Sequence, residues 1–212
     1  MNNRFVLFIV ACIIGFAGLV WFTKKDNAEQ NNNANNQPPS SHVYGENKKG
    51  VTLVEYGDFE CPACGAYFPV IQSVKEKYKS DISFRFVNFP LTSIHQNAMA
   101  AHRAAEAAGK QGKFFEMHDL LYERQSSWKG SSNPSIIFED YAANLGLNIE
   151  QFKTDAASAD INGIINADLN EGKKLGVDST PTFFLEGKKL AEPPRDIEGF
   201  SKLIDEAIAS KK

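Results

Sequence analysis

The sequence predicts an α/β domain interrupted by a helical insertion and preceded by an N-terminal transmembrane helix. Three observations carry that expectation. A strand, a loop, a helix and a second strand follow one another from Val51 to Phe89. Helical patterning without a strand then fills about 94–175. Strand patterning returns only at Pro181, ahead of a last amphipathic helix.

The chain opens on Arg4 followed by Phe5–Phe22, FVLFIVACIIGFAGLVWF, an uncharged run long enough to span a bilayer. Trp21 and Phe22 stand at its end, where aromatic rings favour the interface, and Lys24–Lys25 follow. The run is apolar all round, which argues against a soluble helix with one polar face. Trp21-Phe22-Thr23 offers no small-x-small cleavage site, so an uncleaved signal-anchor is favoured over a cleaved signal peptide. Ile9-Val10-Ala11-Cys12 loosely fits a lipoprotein signal, but it would leave just Phe5–Val10 as the apolar core. Residues 1–25 therefore read as a membrane anchor. Asp26–Ser41, polar and Asn-rich with two prolines, reads as a disordered tether. Residues 42–212 form the folded domain.

Arg4 on one side and Lys24–Lys25 on the other slightly favour the inward orientation. Long domains translocate largely regardless of such charges, so the expected location is single-pass in the cell membrane with the domain extracytoplasmic. The composition, 42% hydrophobic and 23% charged with a net charge of −3, is that of a globular protein. No basic concentration suggests a nucleic-acid partner.

Within the domain, His42–Lys49 leads in and Val51–Tyr56 alternates as a strand rich in β-branched and aromatic residues. Gly57 and Asp58 break it, and Cys61-Pro62-Ala63-Cys64 follows, with Pro62 where a first helical turn tolerates proline. A cysteine at a helix start is chemically loaded, since free N–H groups and the helix dipole stabilise its thiolate. Cys64, one turn on, is placed to close a disulfide with Cys61. A half zinc site or a plain structural disulfide are the alternatives. Zinc needs further ligands, and His42, His95, His102 and His118 lack metal-ligand spacing. A redox pair is favoured, which calls for no metal and no cofactor.

The helix from Pro62 carries an apolar stripe through Ile71, Val74 and Tyr78, with Pro69 expected to kink it. Ile82–Phe89 is the second strand, so the unit reads as a parallel βαβ crossover. Five helical segments follow: His95–Ala108, Lys113–Arg124, Pro134–Leu145, Glu150–Ala157 and Ile161–Leu175. Pro181–Glu186 and Lys189–Ala191 then form a hairpin about Gly187–Lys188, and Ile197–Ser210 closes the domain as an amphipathic helix. His95, His102 and His118 read as surface or insert-packing residues. Phe114–Phe115 and Phe183–Phe184 read as core, and Lys173–Lys174 and Lys188–Lys189 as solvated charge. Asp58 and Glu60, beside the pair, are expected to oppose thiolate formation.

Three features together, VEYGDFECPAC at Val54–Cys64, GVDSTPTFF at Gly176–Phe184 and the helical insert between them, resemble the thioredoxin fold. In detail they resemble the DsbA-like thiol–disulfide oxidoreductases, above all the membrane-tethered kind of Gram-positive bacteria. The resemblance covers about Val43 to Ser210 and implies roles residue by residue. Cys61 matches the exposed nucleophile and Cys64 the buried resolving partner. Pro181 matches the family's cis-proline, and Thr180 the residue whose backbone pairs with a substrate strand. Pro62 and Ala63 lie where substrate meets the pair. Glu55 matches a buried acid that exchanges a proton with Cys64; the plainer reading of Glu55 is a surface strand residue. Ala63 departs from the best-known oxidases, which carry histidine there, and a weaker thiolate with a less oxidising disulfide is the consequence expected. The resemblance implies disulfide formation in exported protein thiols, with reoxidation by a membrane quinone-linked partner. A reductase or isomerase fed by a membrane electron donor is the rival reading, and a peptide-binding or chaperone module with a structural disulfide is another.

Overall fold

The structure is a computed structural model that describes residues 37–211. The expected anchor and most of the expected tether lie outside the described residues. Among the described residues, no helix is long and apolar enough to cross a membrane.

A five-stranded sheet is the frame. In chain order its strands are β1 (Val43–Tyr44), β2 (Val51–Gly57), β3 (Ile82–Asn88), β4 (Thr182–Leu185) and β5 (Lys188–Lys189), arranged β1-β3-β2-β4-β5. Helix α1 (Pro62–Lys77) connects β2 to β3, which run parallel with Val51 opposite Ile82 and Gly57 opposite Asn88. β4 lies antiparallel to β2, with Glu55 opposite Phe183. Most side chains of the two central strands are buried on either face, so the sheet is covered on both sides there.

On one face Leu53, Phe84, Phe86 and Phe183 pack with Ile71 and Val74 of α1 and with Phe200 and Ile204 of α8 (Ile197–Ala209). Tyr56, Val87, Phe89, Val177 and Phe184 form a smaller cluster. The insertion contributes α2 (Ala98–Gly109), α3 (Phe114–Glu123), α4 (Gln125–Trp128), α5 (Pro134–Asn144), α6 (Ile149–Ala156) and α7 (Ala159–Lys174). It shares the main core and has no separate one: the small side chains Ala101, Ala104, Ala105 and Ala108 of α2 are buried there beside Met117 and Leu121 of α3.

Several boundaries differ from expectation, each for a reason outside local patterning. β1, too short to alternate, exists through its antiparallel pairing with Arg85 and Phe84. Helix α2 starts at Ala98, so His95 stands in the loop before it; Asn97 is held by Glu60 Oε2, which accepts its N–H at 2.6 Å. The hairpin turns at Glu186–Gly187, both at positive φ, one residue earlier than expected. α1 runs unbroken through Pro69. The tether also ends sooner. Ser40 is buried and donates from its N–H and its hydroxyl to Asp168 of α7, both at 2.7 Å, while its carbonyl accepts from Arg85 at 3.1 Å.

Candidate active site

The C-terminal end of β2 delivers a short loop, Asp58-Phe59-Glu60, to the N-terminus of α1. Cys61 is the residue that starts this helix, in an extended conformation with φ −68° and ψ 122°, and Pro62 occupies the first turn. Both cysteines are free thiols. Cys61 is 7% exposed and Cys64 is fully covered, while Pro62 and Ala63 between them are exposed. The Thr180–Pro181 bond is cis, and the Thr180 carbonyl accepts from Cys61 Sγ at 3.3 Å. The structure thus brings Cys61, Cys64, Pro62, Ala63, Thr180 and Pro181 together, although more than a hundred residues part the two motifs.

The two sulfurs differ sharply in acidity. Cys61 is held down to about 5, chiefly by the hydrogen bond from Cys64, then by the Thr180 side chain and the main-chain N–H groups of Cys64 and Ala63. Burial opposes this and loses. Those N–H groups are the unpaired donors of a helix start, so the position of Cys61 at that start is what lowers it. Cys64 is pushed well above its usual range by burial first, then by the hydrogen bond it gives Cys61 and by the nearby charges of Glu55 and Cys61. Ala63 supplies no charge of its own, and Cys61 is nonetheless held well below the ordinary thiol range. Histidine is one source of positive potential there, and the N–H groups are another.

Glu55 is 3% exposed, a buried strand residue and not a surface one. Burial pushes its carboxyl up to about 8, and Lys75 pulls the other way. Lys75 is itself buried, its Nζ 3.3 Å from Asp119 Oδ1 and within about 5 Å of the Tyr44 and Phe115 ring centres. Sequence reasoning passed over Lys75. Its signal is a charge at i+4 from Ile71, on the apolar stripe of α1.

Asp58 and Glu60 are also buried, and both carboxylates are engaged by the segment entering the insertion. Asp58 accepts from the N–H of Leu91 and from His95 Nδ1, each at 2.8 Å, and Glu60 accepts from Asn97. They anchor the loop instead of standing free beside the sulfurs. From the other side Gln125 Nε2 donates to the carbonyls of Phe59 at 2.7 Å and Cys61 at 2.9 Å. Gly65 leaves room for it, since a Cβ there would lie 2.8 Å from Gln125 Oε1. Nothing in the sequence marks Gln125. His102 and His118 are fully buried and held down to about 4, mainly by burial, so they are core residues. Among the described residues no group of three or more His, Cys, Asp or Glu is arranged to hold a metal ion.

The family model described as thioredoxin matches residues 37–206. The chain belongs to the thioredoxin family. Its fold is that of DsbA-like thioredoxin-family proteins. Oxidised BdbD from Bacillus subtilis superposes with a TM-score of 0.70 at 22% identity, covering 82% of this chain and 97% of that one. Alpha-DsbA1 from Wolbachia pipientis gives 0.70 at 22% identity over 84% and 96% of the two chains. A thioredoxin-like oxidoreductase from Silicibacter pomeroyi gives 0.65 at 24% identity over 78% and 91%. Among curated proteins, one similar to this thioredoxin-family chain is the Na(+)/H(+) antiporter NhaA 3 of Salinispora tropica, 37% identical over 82% of this chain. The match spans 26% of that protein's length, and NhaA 1 of Salinispora arenicola likewise matches over 26% of its own at 36% identity. The chain therefore spans about a quarter of these relatives.

Proposed function

We propose that the protein is a membrane-anchored, extracytoplasmic thiol–disulfide oxidoreductase that introduces disulfides into exported proteins through Cys61 and Cys64. A substrate thiolate attacks Cys61 Sγ of the oxidised pair. The Cys61–Cys64 bond breaks, its electron pair passes to the Cys64 sulfur, and Cys64 takes up a proton. Glu55, protonated below about pH 8, is the buried source of that proton. The substrate's second thiolate then attacks its own sulfur in the mixed disulfide, and Cys61 leaves as a thiolate. Substrate loses two electrons and the pair gains them. The Thr180–Pro181 segment takes the substrate as an added strand, and Pro62 and Ala63 form the exposed approach to Cys61. A quinone-linked membrane partner restores the disulfide.

One observation carries the direction of the reaction. With Cys61 held down to about 5, the reduced pair is stabilised as thiolate at neutral pH, which makes the disulfide a ready electron acceptor. Membrane placement rests on the apolar Phe5–Phe22 run, and similarity to part of proteins named as antiporters accords with it.

The test is equilibration of the full-length chain, solubilised in detergent, with glutathione. A potential well above the thioredoxin value of about −270 mV supports the oxidase. A value at or below it gives the reductase reading, and absence of exchange gives the binding module.

A further inference from the structure

Helix α4 is a single turn, and the sequence around it shows why Gln125 faces inward. Tyr122, Gln125 and Trp128 recur at a spacing of three, while Arg124, Ser126 and Ser127 between them are exposed. Tyr122 and Trp128 are buried, so the side chain midway between them turns toward the same interior. The Gln125 carbonyl accepts from the N–H of Lys129 at 3.0 Å, which fixes the main chain that carries it.

The carboxamide of Gln125 has two hydrogens, and both are spent on one loop. Nε2 donates to the Phe59 carbonyl at 2.7 Å and to the Cys61 carbonyl at 2.9 Å. The two acceptors are not equivalent. The Cys61 carbonyl has a second partner in the N–H of Gly65, at 3.1 Å. Phe59 is fully buried, and among the described residues no other hydrogen bond reaches its carbonyl. Without the Gln125 donor a buried carbonyl is left unpaired, which costs more than losing a bond between exposed groups. The Phe59–Glu60 peptide must then turn to find a partner, and Cys61 is the residue that follows it. Cys61 Sγ lies 3.3 Å from the Thr180 carbonyl, at the open amides that start α1, so a turn of the loop moves the sulfur off both. Gly65 gives the clamp its space. A Cβ there would lie 2.8 Å from Gln125 Oε1 and 3.2 Å from Nε2.

We propose that Gln125 is a positioning residue for the redox pair. From the insertion it holds the Phe59–Cys61 main chain, so that the Cys61 sulfur stays at the start of α1 and against Thr180. The insertion is thereby a working part of the redox site as well as a cover for the core. Loss of the clamp weakens the Cys61 thiolate and makes the disulfide less oxidising. The inference rests on the redox reading of Cys61 and Cys64 given above.

The experiment uses the full-length chain in detergent with two readouts: thiolate absorbance of Cys61 against pH, and the equilibrium constant with glutathione. Gln125→Met keeps the length of the side chain and removes both donors. It should lower the acid constant of Cys61 and shift the glutathione equilibrium toward the protein disulfide, each by about threefold or more, the scale of one net hydrogen bond. Gly65→Ala keeps Gln125 but drives its carboxamide off the two carbonyls, and should move both readouts the same way. Phe152→Leu, in the buried core of α6 and outside these hydrogen bonds, is the control. It should lower the urea midpoint and leave both readouts in place. That pattern supports the proposal. No shift from Gln125→Met in a folded protein, or a shift of opposite sign, overturns it. An equal shift from Phe152→Leu also overturns it, because general loosening of the insertion would then suffice. Should Gln125→Met fail to fold, Gly65→Ala against Phe152→Leu decides. If the wild type never exchanges with glutathione, the redox reading fails, and the thiolate titration still decides the positioning.

Discussion

Glu55 and Lys75 are opposite charges buried from two different elements, and neither is comfortable there. Burial pushes the Glu55 carboxyl up to about 8 from an ordinary 4.5 and pulls the Lys75 ammonium down. A carboxyl raised in the folded state favours folding while protonated, and that advantage is lost as pH rises from its unfolded value through about 8. Glu55→Gln removes the burden of the charge. The variant should match wild type near pH 4 and become more stable above it, by up to ~4 kcal/mol near pH 8. Urea titrations at pH 4, 6 and 8 check this; a constant gap would contradict it. In exchange kinetics the same variant should slow mixed-disulfide steps by roughly 10²-fold, the scale of a lost general acid–base group. Lys75→Met should push Glu55 higher still, seen as an alkaline shift of the pH–rate profile. The two cysteines were legible from their spacing, and Glu55 and the Thr180–Pro181 step through the family resemblance that the surrounding motifs carry. Lys75 was half-legible, as a charge on an apolar stripe. Asp58 and Glu60 were seen, but their partners Leu91, His95 and Asn97 were not, because these lie across a strand and a helix from them.

The elements meet at the start of α1, which is held from two sides by the insertion. One clamp is the loop before α2 on Asp58 and Glu60; the other is Gln125 of α4 on the carbonyls of Phe59 and Cys61. The Cys61 carbonyl also accepts the helical bond from Gly65 at 3.1 Å, so Gln125 supplies its second partner. Gln125→Ala should cost about 1–2 kcal/mol in urea unfolding, the usual loss for two hydrogen bonds partly replaced by water. Trp128, three residues on, is fully buried, donates to the Leu121 carbonyl at 2.9 Å and meets Phe138 edge-on. Trp128→Ala should cost ~3–5 kcal/mol, as large core truncations do; a cost under 1 kcal/mol would mean the insertion is not part of the main core. Long elements with a clear period were legible from sequence: both central strands, α1 and the helices of the insertion. The short ones were not. β1 and α4 are each too brief to show a period, and they exist through pairing with β3 and packing of Trp128.

At the scale of the whole molecule, the acidity of one sulfur is tied to the stability of the fold. In the reduced protein Cys61 titrates at about 5 folded against an ordinary 9.0, and in the oxidised protein it does not titrate at all. A group lowered in the folded state adds stability above its unfolded value and loses it as pH falls through the folded one. The reduced form should therefore gain on the oxidised form from about pH 5 upward. At pH 7 the gain should be about 1–2 kcal/mol, after allowance for solvent screening at a partly accessible sulfur. Terms common to both forms, including most of the Glu55 effect, cancel in the difference. The loop-closing effect of the disulfide on the unfolded chain offsets the two curves by an amount that does not depend on pH. Urea unfolding of both redox forms at pH 5, 6, 7 and 8 should thus show a gap that moves steadily toward the reduced form. A flat gap would mean that Cys61 is not an unusually stable thiolate, and the electron-accepting direction would lose its physical basis. If the gap does widen with pH, the cycle linking folding to reduction requires the same free energy to appear in the potential. A disulfide whose reduction stabilises the fold is one that takes electrons from an unfolded client and has little tendency to return them.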